Sequence, residues 1–336
     1  MLTELANRVR IFKARTAICA LLFCVFCPML SAQWKTTVAS LPNEDVVHPC
    51  EYEMEIAPGI PSVAGVFVVF ERGPQSHTFY NDPDVRAFAA KHRLAMLLAL
   101  HCSARQGQDM DVDPEKGLGR ALFAALDLLS VQAKHAELRS APVVVIGFSG
   151  AGALAARIPA YAPERTAAAI VSHAGQVPPL GLNTIHLSPA SLAVPQLVIV
   201  GGLDRIVGTV DSYDYFRRHW LSGAPWLFAT QNNAAHCCTI DAKPLILSWL
   251  DDVIASRSAK NSLLKSTGGA YAYFRQVPTR WVDGGALPVQ AGDLSIRKTS
   301  VPPAGEWAAG WLPSKKTAAL WRSFAELEPS KPAVTP

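Results

Sequence analysis

The chain has 336 residues, half of them hydrophobic and only 17% charged. High apolar content with a net charge of +4 excludes a disordered chain. It leaves room for one large domain with an appendage, or two small domains.

Residues 1–32 read as a targeting segment. Arg8, Arg10, Lys13 and Arg15 form a basic start, and Thr16 to Leu30 is an almost unbroken apolar run. Ser31-Ala32 supplies small residues before Gln33, a plausible cleavage point for a signal peptide. The run is shorter than the ~20 residues that span a bilayer, so membrane attachment is expected only if the segment stays uncleaved. The segment carries four of the 31 basic residues and one of the 27 acidic ones, leaving 27 against 26. Nucleic-acid binding therefore has no electrostatic support. Three of the seven cysteines also fall in the segment, leaving Cys50, Cys102, Cys237 and Cys238. An even number in an exported chain predicts up to two disulfides, with three pairings open. The four that remain include no Cys-x-x-Cys pair, which argues against a zinc site.

From residue 63 onward, strand-like and helix-like segments alternate. Val63 to Phe70 is a β-branched and aromatic run. Asp82 to Arg93 has Val85, Phe88 and Ala89 on one helical face, and Leu94 to His101 is apolar again. Gly117 to Leu138 carries Leu118, Leu122, Ala125, Leu126 and Leu129 at helical spacing. Pro142 to Gly147 is a fully apolar strand, followed by a small-residue helix over Ala151 to Ala162 and a strand over Thr166 to Ser172. Gln196 to Val200, Val210 to Leu221, Trp226 to Thr230 and Pro244 to Ile254 continue as strand, helix, strand, helix. Continuous apolar strands between amphipathic helices predict an α/β fold with a mainly parallel sheet covered on both faces. Right-handed crossovers then place the strand carboxyl ends, and any site, on one edge.

The tail from residue 260 has a different character. Gly268-Gly269, Gly284-Gly285 and Pro302-Pro303 punctuate it. Tyr271, Tyr273 and Phe274 suggest a short strand, and Ser314 is placed to cap a last helix with Leu320, Trp321, Phe324 and Leu327 in a stripe. The expected organisation is a signal peptide over 1–32, a main domain over 33–259 and an appendage over 260–336 packed on it. The linker falls within 260–267. Trp307, Trp311 and Trp321 either pack the tail onto the domain or line a groove for a sugar or aromatic group.

Three elements carry chemistry. Gly147-Phe-Ser149-Gly-Ala-Gly152 follows an apolar strand and precedes a helix, the setting of a strained turn that lifts a serine nucleophile to the sheet edge. Small residues are required two positions either side of the serine, and Ala151 stands where the usual pattern has glycine. Such a turn aims the Gly150 N–H and the helix N-terminus at a developing oxyanion. Leu197 to Val207 places Asp204 after a strand and two glycines, where an acid would orient a histidine. Asp211 and Asp214 are rivals expected on the next helix. Gln231 to Cys238 places His236 in a loop before the last helix of the domain, where it would serve as general base. His101 and His173 also lie just past predicted strands. The order Ser149, Asp204, His236, each at the end of its own strand, selects this set.

Over Val63 to Arg257 the chain resembles the α/β-hydrolase superfamily. The matching residues are Gly147 to Gly152, Gly201-Gly-Leu-Asp-Arg-Ile-Val207 and Ala235-His236-Cys237. Within it, the chain is most similar to secreted, dienelactone-hydrolase-like or polyester- and feruloyl-esterase-like members. The resemblance implies a serine esterase with a Ser-His-Asp triad and no metal or organic cofactor. It also implies a first oxyanion donor from the loop Phe70-Glu71-Arg72-Gly73-Pro74, where arginine replaces the usual histidine. The candidate donors are the backbone N–H of Arg72 or Gly73, together with Gly150. Only His173 to Pro195 fills the usual lid position, so the lid is minimal. Cys237 or Cys238 is expected to tether the histidine loop to Cys102 or Cys50, or the two to bond each other. The expected activity is hydrolysis of small-molecule or polymeric carboxylic esters by a secreted or periplasmic enzyme. The alternatives are a peptidase or acyltransferase with the same triad, or a non-catalytic binding module on this fold.

Overall fold

A computed structural model describes residues 32–104, 112–175, 177, 184–220, 222–231, 234–236, 239–257, 270–273, 295–298 and 308–326. The N-terminal apolar run, Cys237, Cys238, Phe274, Trp307, Leu327 and the linker at 260–267 lie outside the described residues.

The strands are β1 (Ala32–Val38), β2 (Cys50–Ile56), β3 (Gly65–Phe70), β4 (Leu94–Leu100), β5 (Val143–Phe148), β6 (Thr166–Ser172), β7 (Gln196–Gly201), β8 (Trp226–Gln231), β9 (Ala270–Tyr273), β10 (Ser295–Lys298) and β11 (Ala308–Trp311). The helices are α1 (Pro74–Asn81), α2 (Pro83–Lys91), α3 (Leu118–Gln132), α4 (Gly150–Tyr161), α5 (Pro189–Leu192), α6 (Val210–Trp220), α7 (Lys243–Arg257) and α8 (Lys315–Glu326). All described strands form one sheet in the order β1-β2-β4-β3-β5-β6-β7-β8-β11-β9-β10. From β4 to β8 every neighbouring pair is parallel. This run holds the apolar segments: every residue of β5, β6, β7 and β8 is buried. Two-sided burial is why these strands show no polar alternation.

The strand order positions the site. The chain steps from β3 to β4 in one direction and from β5 through β8 in the other. Right-handed crossovers therefore put α1 and α2 on one face and the helices that link β5 through β8, α4 to α6, on the opposite one. The helix α7 returns to the first face, where Lys243 pairs with Asp82 and Asp84 beside α2. The direction reverses between β3 and β5, and the crevice of such a sheet opens at the carboxyl ends of the strands flanking that reversal. The loops after β3 and β5 carry Arg72 and Ser149.

The hairpin of β1 and β2 was not among the expected elements. It had a signal, since Cys50-Glu-Tyr-Glu-Met-Glu-Ile56 alternates strictly, with Cys50, Tyr52, Met54 and Ile56 buried. β2 runs antiparallel to both β1 and β4. That ladder also settles one disulfide. Cys50 starts β2 and Cys102 follows β4, and pairing of Glu51 with Leu100 brings the two cysteines side by side, with a Cα separation of 4.7 Å and a bond between them. A tether from Cys237 or Cys238 to either of these residues is thereby overturned. A Cys237–Cys238 bond falls outside the described residues.

The tail extends the sheet past β8, with β11 pairing antiparallel to β8 and β9. Ser314 caps α8 as its sequence position predicts, accepting from the Thr317 N–H at 3.1 Å. It also donates to Asp252 on α7. Trp311 and Trp321 are 1% and 0% exposed, and the Trp321 indole donates to the Phe228 carbonyl of β8 at 2.8 Å. These two tryptophans are packing residues, so the groove reading fails for them. No helix among the described residues is long and apolar enough to cross a membrane.

Candidate active site

Gly147 to Gly152 turns sharply from β5 into α4. Ser149 adopts φ 57°, ψ −125°, a conformation that non-glycine residues rarely hold. Its N–H donates to the Ser172 carbonyl at 2.9 Å, which pins the turn to β6. A side chain at Gly147 is impossible, since its Cβ would stand 1.9 Å from the Ala151 carbonyl oxygen. On the far side, the expected need for glycine is displaced by one residue. The Ala151 methyl is accommodated in the core, whereas a Cβ on Gly152 would stand 2.8 Å from the Ser172 carbonyl oxygen. The departure at Ala151 therefore leaves the turn intact.

Asp204 follows β7, and its side chain is fully buried. One carboxylate oxygen accepts from the backbone N–H groups of Ile206 at 2.9 Å and Val207 at 3.1 Å. The other accepts from His236 Nδ1 at 2.7 Å. Three donors thus satisfy the buried charge and fix its orientation. The loops bearing Asp204 and His236 are joined by backbone bonds, from Leu203 N–H to the Ala234 carbonyl and from Gly202 N–H to the Gln231 carbonyl. The other ring nitrogen of His236, Nε2, lies 2.9 Å from Ser149 Oγ. The structure therefore brings Ser149, His236 and Asp204 into one hydrogen-bonded chain. Asp211 and Asp214 lie on α6, and His101 is exposed beyond β4.

His173 lies close by without joining that chain. It is fully buried at φ 48°, its ring 6.3 Å from that of His236. Burial pulls its pKa down to about 4, with the Asp204 charge opposing and His236 adding to the shift. Its ring is thus neutral at ordinary pH. Phe148 packs against both rings, at 4.9 Å from His236 and 5.6 Å from His173.

The loop after β3 differs from expectation. The Arg72 N–H donates to the Ser76 hydroxyl at 2.9 Å, and the Gly73 N–H points at the Glu71 carboxylate at 3.3 Å. Both backbone donors face acceptors of their own loop, because Pro74 starts α1 and turns Ser76 back onto Arg72. Sequence reading missed Ser76, because its bond to the Arg72 N–H, one residue before the Gly73 cap, depends on how the loop enters α1. The side chain of Arg72 goes elsewhere: its Cζ lies 2.9 Å from where a Cβ on Gly150 would stand.

No protein-family model and no curated protein matches the chain. Solved structures do resemble it. An esterase from Pyrococcus furiosus aligns at 14% identity over 67% of this chain and 92% of its own, with a TM-score of 0.46. Fluorophosphonate-binding serine hydrolase F of Staphylococcus aureus aligns at 10% identity over 66% and 98%, with a TM-score of 0.44. The S-formylglutathione hydrolase of the same organism aligns at 12% identity over 66% and 99%, with a TM-score of 0.42. The strand order β1-β2-β4-β3-β5-β6-β7-β8, with β2 alone reversed and a strained serine turn at the end of β5, gives this chain the α/β-hydrolase fold.

Proposed function

We propose that the chain is a serine hydrolase that cleaves carboxylic esters through an acyl-enzyme. The observation that carries this reading is the bridging of Ser149 Oγ and Asp204 Oδ2 by the two nitrogens of His236, at 2.9 and 2.7 Å. Both contacts lie within the range that proton transfer needs. Asp204 fixes the tautomer with Nδ1 protonated, so Nε2 is left to accept the Ser149 proton. The serine oxygen attacks the ester carbonyl carbon as that proton moves to His236. The carbonyl electron pair moves onto oxygen, where the Gly150 N–H at the start of α4 faces it. Collapse expels the alcohol, which takes the proton from His236. Water then repeats the sequence on the acyl-enzyme and releases the acid.

The same reading places the enzyme outside the cytosol. The basic and apolar N-terminal pattern supports export, and the Cys50–Cys102 disulfide fits an oxidising compartment. The substrates are small-molecule or polymeric esters. The test is hydrolysis of short p-nitrophenyl esters, with fluorophosphonate labelling alongside. The wild type should turn over and label, and Ser149→Ala should do neither while keeping its far-UV circular dichroism. Full activity in Ser149→Ala would overturn the reading.

A further inference from the structure

The loop after β3 brings a cation, rather than a spare backbone amide, to the nucleophile turn. A Cβ built on Gly150 would lie 2.9 Å from Arg72 Cζ, 3.0 Å from Nη2 and 3.2 Å from Nε. The guanidinium therefore fills the volume that any side chain at position 150 would need. Standard bond lengths then put its carbon within about 6 Å of the Gly150 nitrogen. That nitrogen carries the N–H at the start of α4, immediately after Ser149. Meanwhile the Arg72 and Gly73 backbone N–H groups are directed to Ser76 Oγ and the Glu71 carboxylate. The bond to Ser76 anchors the arginine backbone to the first turn of α1, which fixes the base from which the side chain reaches across.

We propose that the Arg72 guanidinium is the second oxyanion donor of this site, and that glycine at position 150 is what admits it. The proposal rests on the triad reading given above. When Ser149 Oγ bonds to the carbonyl carbon, the carbonyl electron pair becomes the oxyanion, which accepts from the Gly150 N–H and from an Arg72 N–H. The guanidinium takes part in this step only as a hydrogen-bond donor and gives up no proton. On collapse the pair returns to the carbonyl, the bond to the alcohol oxygen breaks, and His236 Nε2 protonates the departing oxygen. A charged donor makes a hydrogen bond roughly twice as strong as a neutral amide does. It is also matched to a charge that exists fully only in the transition state, so its contribution falls on kcat rather than on substrate affinity.

The test uses Arg72→Ala, Arg72→Lys and Gly150→Ala in the full chain, with uncharged p-nitrophenyl acetate and butyrate. Arg72→Ala should lose about 100-fold or more in kcat, the usual cost of removing one oxyanion donor, with KM nearly unchanged. Millimolar guanidinium ion should restore part of that loss, whereas methylammonium should not. Arg72→Lys should fall between, and Gly150→Ala should lose kcat because its methyl displaces the guanidinium. Rescue by guanidinium separates a chemical role from misfolding, since a misfolded variant would not recover. Wild-type kcat in Arg72→Ala, or a loss seen only as a raised KM, would overturn the proposal while leaving the triad reading intact. A wild type that neither labels nor hydrolyses overturns both.

Discussion

Ser149 is held in a backbone conformation that costs free energy, and the surrounding residues make it the only one available. Gly147 is the tightest of them, because no rotamer or small shift clears a Cβ 1.9 Å from a carbonyl oxygen. Gly147→Ala should therefore destabilise the protein by several kcal/mol, as severe backbone clashes do, and lower the yield of folded protein. Urea unfolding checks this. Asp204 is the second residue whose replacement is informative. Its carboxylate accepts from three N–H groups and offers none. Asp204→Asn would set an amide N–H against one of those donors and favour the wrong tautomer of His236. The expected loss in kcat is of the order of 10⁴-fold, the magnitude known for such a change in a serine triad, with stability affected much less. Steady-state kinetics beside thermal melting separates the two effects.

At the scale of elements, two attachments hold the edges of the sheet. The Cys50–Cys102 bond ties β2 to the end of β4 across a sequence separation of 52 residues. The loop-closure cost it removes from the unfolded chain is about 4 kcal/mol, and typical measured values are about 2–4 kcal/mol. Cys50→Ala with Cys102→Ala should lower the unfolding free energy by that amount in urea, and reduction of the wild type should produce a similar drop. At the opposite edge, β11 and α8 cover β8, which would otherwise expose a long apolar edge. Trp321→Phe keeps most of the ring but leaves the buried Phe228 carbonyl without its 2.8 Å donor. A loss of about 1–3 kcal/mol is expected from the unsatisfied carbonyl, measured by urea denaturation.

Across the whole molecule, acid should weaken the fold through one buried and one half-buried histidine as well as through carboxylates. Burial pulls His173 and His219 down to about 4 from an ordinary value of 6.5. The unfolded chain takes up protons between those values that the folded chain refuses. The stability contributed by neutral His173 and His219 is thus fully present above pH 6.5 and is lost as pH falls towards 4. His219 packs on Tyr215 and Trp226, away from the Ser149–His236–Asp204 chain. His219→Phe should therefore flatten this part of the pH dependence without changing ester turnover at pH 7. Unfolding free energies at pH 5 and pH 7 for both proteins check the slope. An unchanged slope would show that His219 titrates normally in the folded state.

The parallel centre of the sheet was legible in the sequence because burial on both faces demands uninterrupted apolar runs, as in Val143 to Ile146. The candidates Ser149, Asp204 and His236 were legible for a related reason: each follows such a run, and their order is fixed. Loop geometry was not legible, because it depends on contacts between residues far apart in the chain. The pairing of Cys50 with Cys102 required the antiparallel register of β2 on β4, which no spacing rule supplies. The burial of Trp311 and Trp321 required the tail to lie along β8. At the loop after β3, the sequence showed an arginine where a histidine is usual. Only the tertiary structure revealed that its backbone N–H turns to Ser76 while its guanidinium crosses to Gly150, because that exchange of donors is decided by how two loops from different strands meet in space.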